Sequence, residues 1–247
     1  MTKNPWKKFE KSYFFQSSKL KIRQWYGREP KFEIDAILSI TTFGDWGLPL
    51  EYVHSGDVIY SFGICDDIDF EQEIYKEKNV SIYAFDPTPY SVDWIKKQNI
   101  GCYFHFQSCA ISDQDGHFYL YPLLNKRGVA SKKMYSFHTQ SDERKDGVEV
   151  EALTVESIMK KLNHNHIDIM KMDIEGAEYG VINNLLQSSI RPRILMLEYH
   201  HRFDGIGKKK TIDSVNALKR AGYLLVYISL AGREMCFLKK TSTRSQN

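Results

Sequence analysis

A chain of 247 residues can bury one sizeable core, so one domain with decorations is the natural arrangement. With 42% apolar and 26% charged residues it is neither a disordered chain nor a fibre, and no apolar run is long enough to cross a bilayer. The net charge of +3 is unevenly held: residues 1–31 carry nine Lys/Arg against Glu10 and Glu29, leaving a mildly acidic body that argues against a nucleic-acid surface spread over the domain.

Residues 1–50 read as a basic, aromatic cap or arm in which Trp6, Phe9, Tyr13, Phe14, Phe15, Trp25 and Tyr26 alternate with bases. Either its rings pack on the domain while its lysines stay wet, or it grips an anionic or sugar-like partner. The first residues have no signal-peptide core. Cys65, Cys102, Cys109 and Cys236 show no CxxC pairing and are expected to be reduced, buried and inert, which fits a cytoplasmic protein.

Phe43–Pro49 is turn-rich. From Asp57 the pattern becomes strand (57–62) stopped at Gly63, helix (69–78), strand (80–85) stopped at Asp86-Pro87-Thr88-Pro89, helix (90–98) and strand (103–111). His117–Leu123 looks like an antiparallel return. Residues 125–147 lose periodicity and are expected to form an insertion or lid beside the site, or an exposed loop. Thr154 should cap a helix over 155–162. A buried strand then runs to Asp173, and Gly176 turns it into a helix with Val181, Ile182 and Leu185 on its apolar stripe. A strand over 194–197, a helix capped by Thr211 and stopped at Gly222, and a hairpin of 223–228 with 235–238 complete the domain, before a frayed tail at 241–247. Such alternation predicts an α/β fold over residues 51–240: a doubly wound, mostly parallel, Rossmann-like sheet with an antiparallel edge hairpin and no second core.

Chemistry collects where strands end. A buried strand should be uncharged, yet 167–173 carries Lys171 and Asp173, which strand alternation puts on one face. Glu175 and Glu178 follow at once, at the edge where open α/β sheets bind ligands. A plain Lys171–Asp173 ion pair with helix-capping acids is the structural alternative.

The first strand–turn–helix lacks the dinucleotide fingerprint, since Gly63 stands where three glycines are needed. Asp66, Asp67 and Asp69 at the helix start would repel a pyrophosphate and suit a cationic adenosine donor such as S-adenosylmethionine, unless they only cap the helix. Asp86, 23 residues after Gly63, is placed to accept a ribose diol. Asp113 would lie within reach of adenine, although Asp-Gln-Asp-Gly is also a good turn. The expected cofactor set is Ser61, Phe62, Gly63, Ile64, Asp66, Asp86, Ser112 and Asp113.

Tyr60-Ser61-Phe62-Gly63-Ile64, Phe85-Asp86-Pro87-Thr88-Pro89, Ala110-Ile111-Ser112-Asp113 and Lys171-Met172-Asp173-Ile174-Glu175-Gly176-Ala177-Glu178 resemble the ordered motifs of FkbM-type S-adenosylmethionine-dependent methyltransferases. The resemblance covers roughly residues 43–240. It implies a class I methyltransferase fold, Gly63 and Asp86 at the cofactor, and O-methylation of a hydroxyl, often on a sugar or natural product. Cys65 departs from it, standing where a second glycine is common.

A methyl donor that is already electrophilic leaves the protein to align a hydroxyl and remove its proton. Either His200 or Asp173 is expected to take that proton, with Lys171 fixing the carboxylate or the oxyanion, and Glu175 and Glu198 facing the acceptor. Mg²⁺ on these carboxylates is conceivable, but no spacing compels it. The Gly205–Thr211 segment is a basic helix-entry loop rather than a Walker loop, and could meet an anionic acceptor. The rival readings are an RNA methyltransferase, a non-catalytic module of the same fold and a nicotinamide oxidoreductase, the last disfavoured by the missing glycines.

Overall fold

The computed structural model describes residues 13–125, 127–137 and 146–240; Trp6, Phe9, the centre of the 125–147 insertion and the tail fall outside them. Helix α1 (Tyr13–Trp25) precedes a small hairpin, β1 (Thr41–Phe43) with β2 (Trp46–Leu48). The alternating body follows as β3 (Val58–Phe62), α2 (Asp69–Lys78), β4 (Ser81–Phe85), α3 (Pro89–Ile95) and β5 (Phe104–Gln107). Next come β6 (Ala110–Ile111), β7 (Gly116–Leu124), β8 (Ala130–Ser136), β9 (Val148–Leu153) and α4 (Val155–Lys161). The chain closes with β10 (Ile169–Met172), α5 (Glu178–Gln187), β11 (Ile194–Glu198), α6 (Gly207–Arg220), β12 (Tyr223–Ile228) and β13 (Glu234–Lys239).

Seven strands form the main sheet in the order β12-β13-β11-β10-β3-β4-β5, and only β13 runs against the rest. The expected α/β architecture and its closing hairpin are therefore present. The central strands are continuous apolar runs because helices cover both faces. Ile59, Ile169, Ile194 and Met196 pack on one face, while Tyr60, Met170 and Leu195 pack on the other, all of them fully buried. Each such aliphatic side chain contributes roughly 1.5–3 kcal/mol.

The predicted third strand is interrupted at Ser108-Cys109. Its first half joins the main sheet as β5, and its second half (β6) opens a four-stranded sheet, β6-β9-β7-β8, with a small core of Ala110, Leu120, Val150 and Ala152. Part of the expected insertion is thus regular: β8 pairs antiparallel with β7. It lacked a readable pattern because Ala130, Lys132, Lys133 and Met134 are all exposed. Helix α6 begins at Gly207 rather than after Thr211, which is buried mid-helix and shares a 2.9 Å hydrogen bond with the Tyr179 hydroxyl. Cys102 is exposed, not buried as expected.

Strand alternation holds for Lys171 and fails for Asp173. Lys171 shares a face with Ile169 and is 4% exposed, but its ammonium group meets Glu71 Oε1 at 3.3 Å and Ser61 Oγ at 3.5 Å. Ser61 Oγ also donates to Glu71, and the ammonium lies 4.8 Å from the Trp46 ring centroid. Asp173 comes one residue after β10 ends, where the chain leaves the pleat, and it turns toward His200 instead. The expected Lys171–Asp173 partnership is replaced by a buried Lys171–Glu71–Ser61 network whose charges neutralise one another.

Candidate active site

A cavity of about 370 Å³ opens over the carboxyl ends of the parallel strands. One wall is Phe62 and Gly63 at the end of β3 with Phe85 and Asp86 at the end of β4; another is Cys109, Ala110 and Ile111. Lys133, Met134 and Tyr135 of β8 form its cover, and Asp173, Glu175, Glu198, His200 and Arg233 form its charged end. Phe62 and Phe85 stack on each other with centroids 4.6 Å apart, and both are almost fully buried in that wall.

Gly63 has φ +79, and a Cβ there would lie 1.7 Å from the carbonyl oxygen of Asp173. The glycine is demanded by the close passage of two strand ends, in addition to its place on the cavity wall. Asp86 accepts hydrogen bonds from Cys65 N (2.9 Å), Thr88 N (2.9 Å) and Thr88 Oγ1 (2.6 Å). A carboxylate offers about four acceptor positions, so one remains for a ligand hydroxyl. Cys65 adopts the left-handed conformation at φ +48, which a second glycine would have taken without strain.

Five members of the expected cofactor set do not line this cavity. Ser61 belongs to the Lys171 network, and Ile64 packs with Ile68, Ala84 and Ile95. Asp66 is held by Lys133 and by the Tyr90 hydroxyl at 3.0 Å, a contact that ties β8 across the cleft. Ser112 and Asp113 line a separate, smaller pocket with Gly180 and Lys210. Asp67 caps locally, accepting from Asp69 N at 2.9 Å, so the capping alternative holds for that acid.

The charged end assembles from three strand ends. His200, 3% exposed, points Nε2 at Glu175 Oε2 (3.3 Å), Asp173 Oδ1 (3.7 Å) and Glu198 Oε1 (3.8 Å). Behind it, Glu178 is fully buried; its carboxylate accepts from His200 N (2.7 Å) and Gly176 N (2.9 Å), and stands 3.4 Å from His200 Nδ1. Arg233 Nη1 pairs with Glu198 at 2.5 Å. Burial works against a charged imidazole, but Glu178, Glu175 and Asp173 outweigh it and raise His200 to about 9. Burial, helped by the Asp173 and Glu178 carboxylates against the pull of His200, lifts Glu175 to about 7. Burial beside Asp173 and Glu234, opposed by Arg233 and His200, lifts Glu198 to about 8. Glu175 also holds φ +49, a strained backbone of the kind that collects at functional sites. Asp173, Glu175 and His200 each offer one ligand atom within 4.8 Å of the others, so these three could hold a metal ion.

A family model described as Methyltransferase FkbM domain matches residues 57–225, more than half of the chain and every residue lining this cavity except Arg233. The chain belongs to the FkbM methyltransferase domain family. Two curated relatives, the probable methyltransferase-like protein 24 of Rattus norvegicus and of Homo sapiens, are each 28% identical to it over 160 residues. That alignment covers 64% of this chain and 36% of theirs, so the chain spans about a third of their length. Among solved structures, a methyltransferase FkbM from Methylobacillus flagellatus KT is 11% identical, with a TM-score of 0.47 over 74% of this chain and 43% of that one. Aeropyrum pernix fibrillarin with natively bound S-adenosyl-L-methionine is 9% identical, with a TM-score of 0.40 over 75% of this chain and 66% of that one.

In this FkbM-domain chain the segment before the body is tied to the cleft rim through Glu29, 5% exposed, which accepts from His201 Nε2 and Arg202 Nε, each at 2.6 Å. Trp25 and Tyr26 do not pack on the domain as a cap would require; they are 81% and 66% exposed. Burial raises Glu29, but hydrogen bonds from His201 and Arg202 outweigh it and bring the carboxyl from 4.5 down to about 2. A depressed carboxylate stabilises the fold fully above its unfolded value, and that stability is lost as pH falls through the folded one. The melting-temperature gap between the native chain and Glu29→Gln is therefore expected to be constant above about pH 5 and to close between pH 4.5 and about 2. A gap unchanged at pH 2 in thermal melts would contradict this.

Arg233 and Glu178 were missed as site residues. Ala231-Gly232-Arg233 reads as a hairpin turn, and Glu178, though placed at the ligand-binding edge, gains no role of its own from the sequence beside the capping alternative. No helix among the described residues is long and apolar enough to cross a membrane.

Proposed function

We propose that the chain is an S-adenosylmethionine-dependent O-methyltransferase acting on a hydroxyl of a sugar or natural product. The observation that carries this reading is the single cavity joining Gly63 and Asp86 to Asp173, Glu175, Glu198 and His200. The residues fit the donor. Asp86 keeps one acceptor position for a ribose hydroxyl, the edges of Phe62 and Phe85 line the apolar wall beside it, and the Asp173 carboxylate faces the same cavity, where a cationic group would meet it. When bound, S-adenosylmethionine supplies a methyl group that its sulfonium already makes electrophilic.

The chain's own part is to hold a hydroxyl in line and to take its proton. Asp173, whose side chain is 34% exposed, opens on the cavity, whereas His200 sits behind it at 3%. Asp173 is accordingly the base, and His200 holds the carboxylates together. Lys171, engaged with Glu71 and Ser61, has no part in the chemistry.

Incubation with methyl-labelled S-adenosylmethionine and a panel of glycans, small alcohols and RNA tests the reading. The label is expected in a methyl ether, and the cofactor alone is expected to raise the melting temperature. Salt-sensitive label in RNA would install the nucleic-acid reading. Absence of any melting shift would install the non-catalytic one.

A further inference from the structure

We propose that Asp173, Glu175 and His200 form a divalent-cation site at the charged end of the cavity, where the ion would bind the acceptor hydroxyl. This rests on the methyl-transfer reading above for its purpose, but not for its geometry. The three ligand atoms lie within 4.8 Å of one another. His200 Nε2 is already 3.3 Å from Glu175 Oε2 and 3.7 Å from Asp173 Oδ1. Ligands at roughly 2.0–2.2 Å from one ion stand about 3–4 Å apart, so only a small contraction is needed.

Carboxylates that face each other do not by themselves make a site; buried atoms with no partner point to one. Glu175 Oε2 is buried and has no hydrogen-bond partner. Glu175 Oε2 is the carboxylate oxygen nearest to Nε2, so this orphaned atom is aimed into the cluster. Unsatisfied buried polar atoms call for an explanation, and a cation between Oε2 and Nε2 gives one.

The surroundings of His200 fit the same account. Ligation through Nε2 requires a neutral ring with its proton on Nδ1, which faces Glu178 Oε1 at 3.4 Å. Glu178 is itself pinned by the amides of Gly176 and His200. A carboxylate behind a histidine ligand is the usual device for fixing its tautomer and orientation. Two carboxylate oxygens and one imidazole suit Mn²⁺ or Mg²⁺ better than a thiolate-seeking ion. Such an ion makes a bound hydroxyl easier to deprotonate, and Asp173, ligating through Oδ1, keeps a second oxygen to receive the proton.

Titration of the full chain with MnCl₂, followed by the electron paramagnetic resonance of free Mn²⁺, tests the site. One ion per chain is expected, displaced by Mg²⁺, with Asp173→Asn and Glu175→Gln each weakening uptake at least about 10-fold. Glu178→Gln, a positioning change, should weaken it by about 10–100-fold. The melting shift given by S-adenosylmethionine, read on the same samples, shows that each variant is folded. No uptake, or uptake unchanged in the Asp173 and Glu175 variants while that shift persists, would overturn the proposal. Uptake as expected without any S-adenosylmethionine shift would support the ion site and remove the methyl-transfer reading.

Discussion

Asp173→Asn is expected to cut methyl transfer by about 10²–10⁴-fold, the usual contribution of a positioned general base. Asparagine keeps the shape of the side chain and removes its capacity to accept a proton. The donor end of the cavity, at Gly63 and Asp86, is untouched, so the melting shift with S-adenosylmethionine should survive. Turnover near the native rate, measured with label once an acceptor is in hand, would show that Asp173 is not the base. The assignment would then pass to Glu198 or Glu175, which share the cavity.

Gly63→Ala should produce the largest loss of stability. Its left-handed backbone costs an alanine about 1 kcal/mol, and Gly56→Ala, with φ +85 and open space around it, isolates that cost. At Gly63 the added carbon also meets the Asp173 carbonyl oxygen at 1.7 Å. Neither partner can retreat: Gly63 N is bonded to Phe85 O at 2.9 Å, and Asp173 N to Phe62 O at 3.0 Å. Overpacking against a fixed neighbour adds about 3 kcal/mol. The melting temperature should fall on the order of 10 °C, against a few degrees for Gly56→Ala. Equal losses in the two variants would mean that the strand ends move apart easily. The pocket would then lack the rigidity that alignment of a hydroxyl requires.

The central strands were legible because burial on both faces leaves an unbroken apolar run, as in Ile194-Leu195-Met196-Leu197. Gly63, Asp86, Asp173 and His200 were legible because charge and glycine at the end of such a run have few structural uses. Alternation failed at Asp173 because it was extended one residue past the end of β10, which put that side chain on the wrong face. Ser112 and Asp113 were misplaced because β6 belongs to a second sheet, and a crossing of that kind leaves no local signal. The pairing of Glu178 with His200, and the part played by Arg233, were not legible for a different reason. Their roles arise from partners 22 and 35 residues away, His200 and Glu198, and no local pattern encodes such a pairing.

The position of β13 has a consequence for synthesis. It follows every other described strand in the chain, yet it lies second from the edge of the sheet, between β11 and β12. A nascent chain that has emerged only as far as β12 presents β11, apolar from Ile194 to Leu197, as an unpaired border. That border is open to pairing with other chains until residues 234–239 leave the ribosome and slot in. Glu198 meets Arg233 only then, so the charged end of the cleft is completed in the same closing event that seals the sheet.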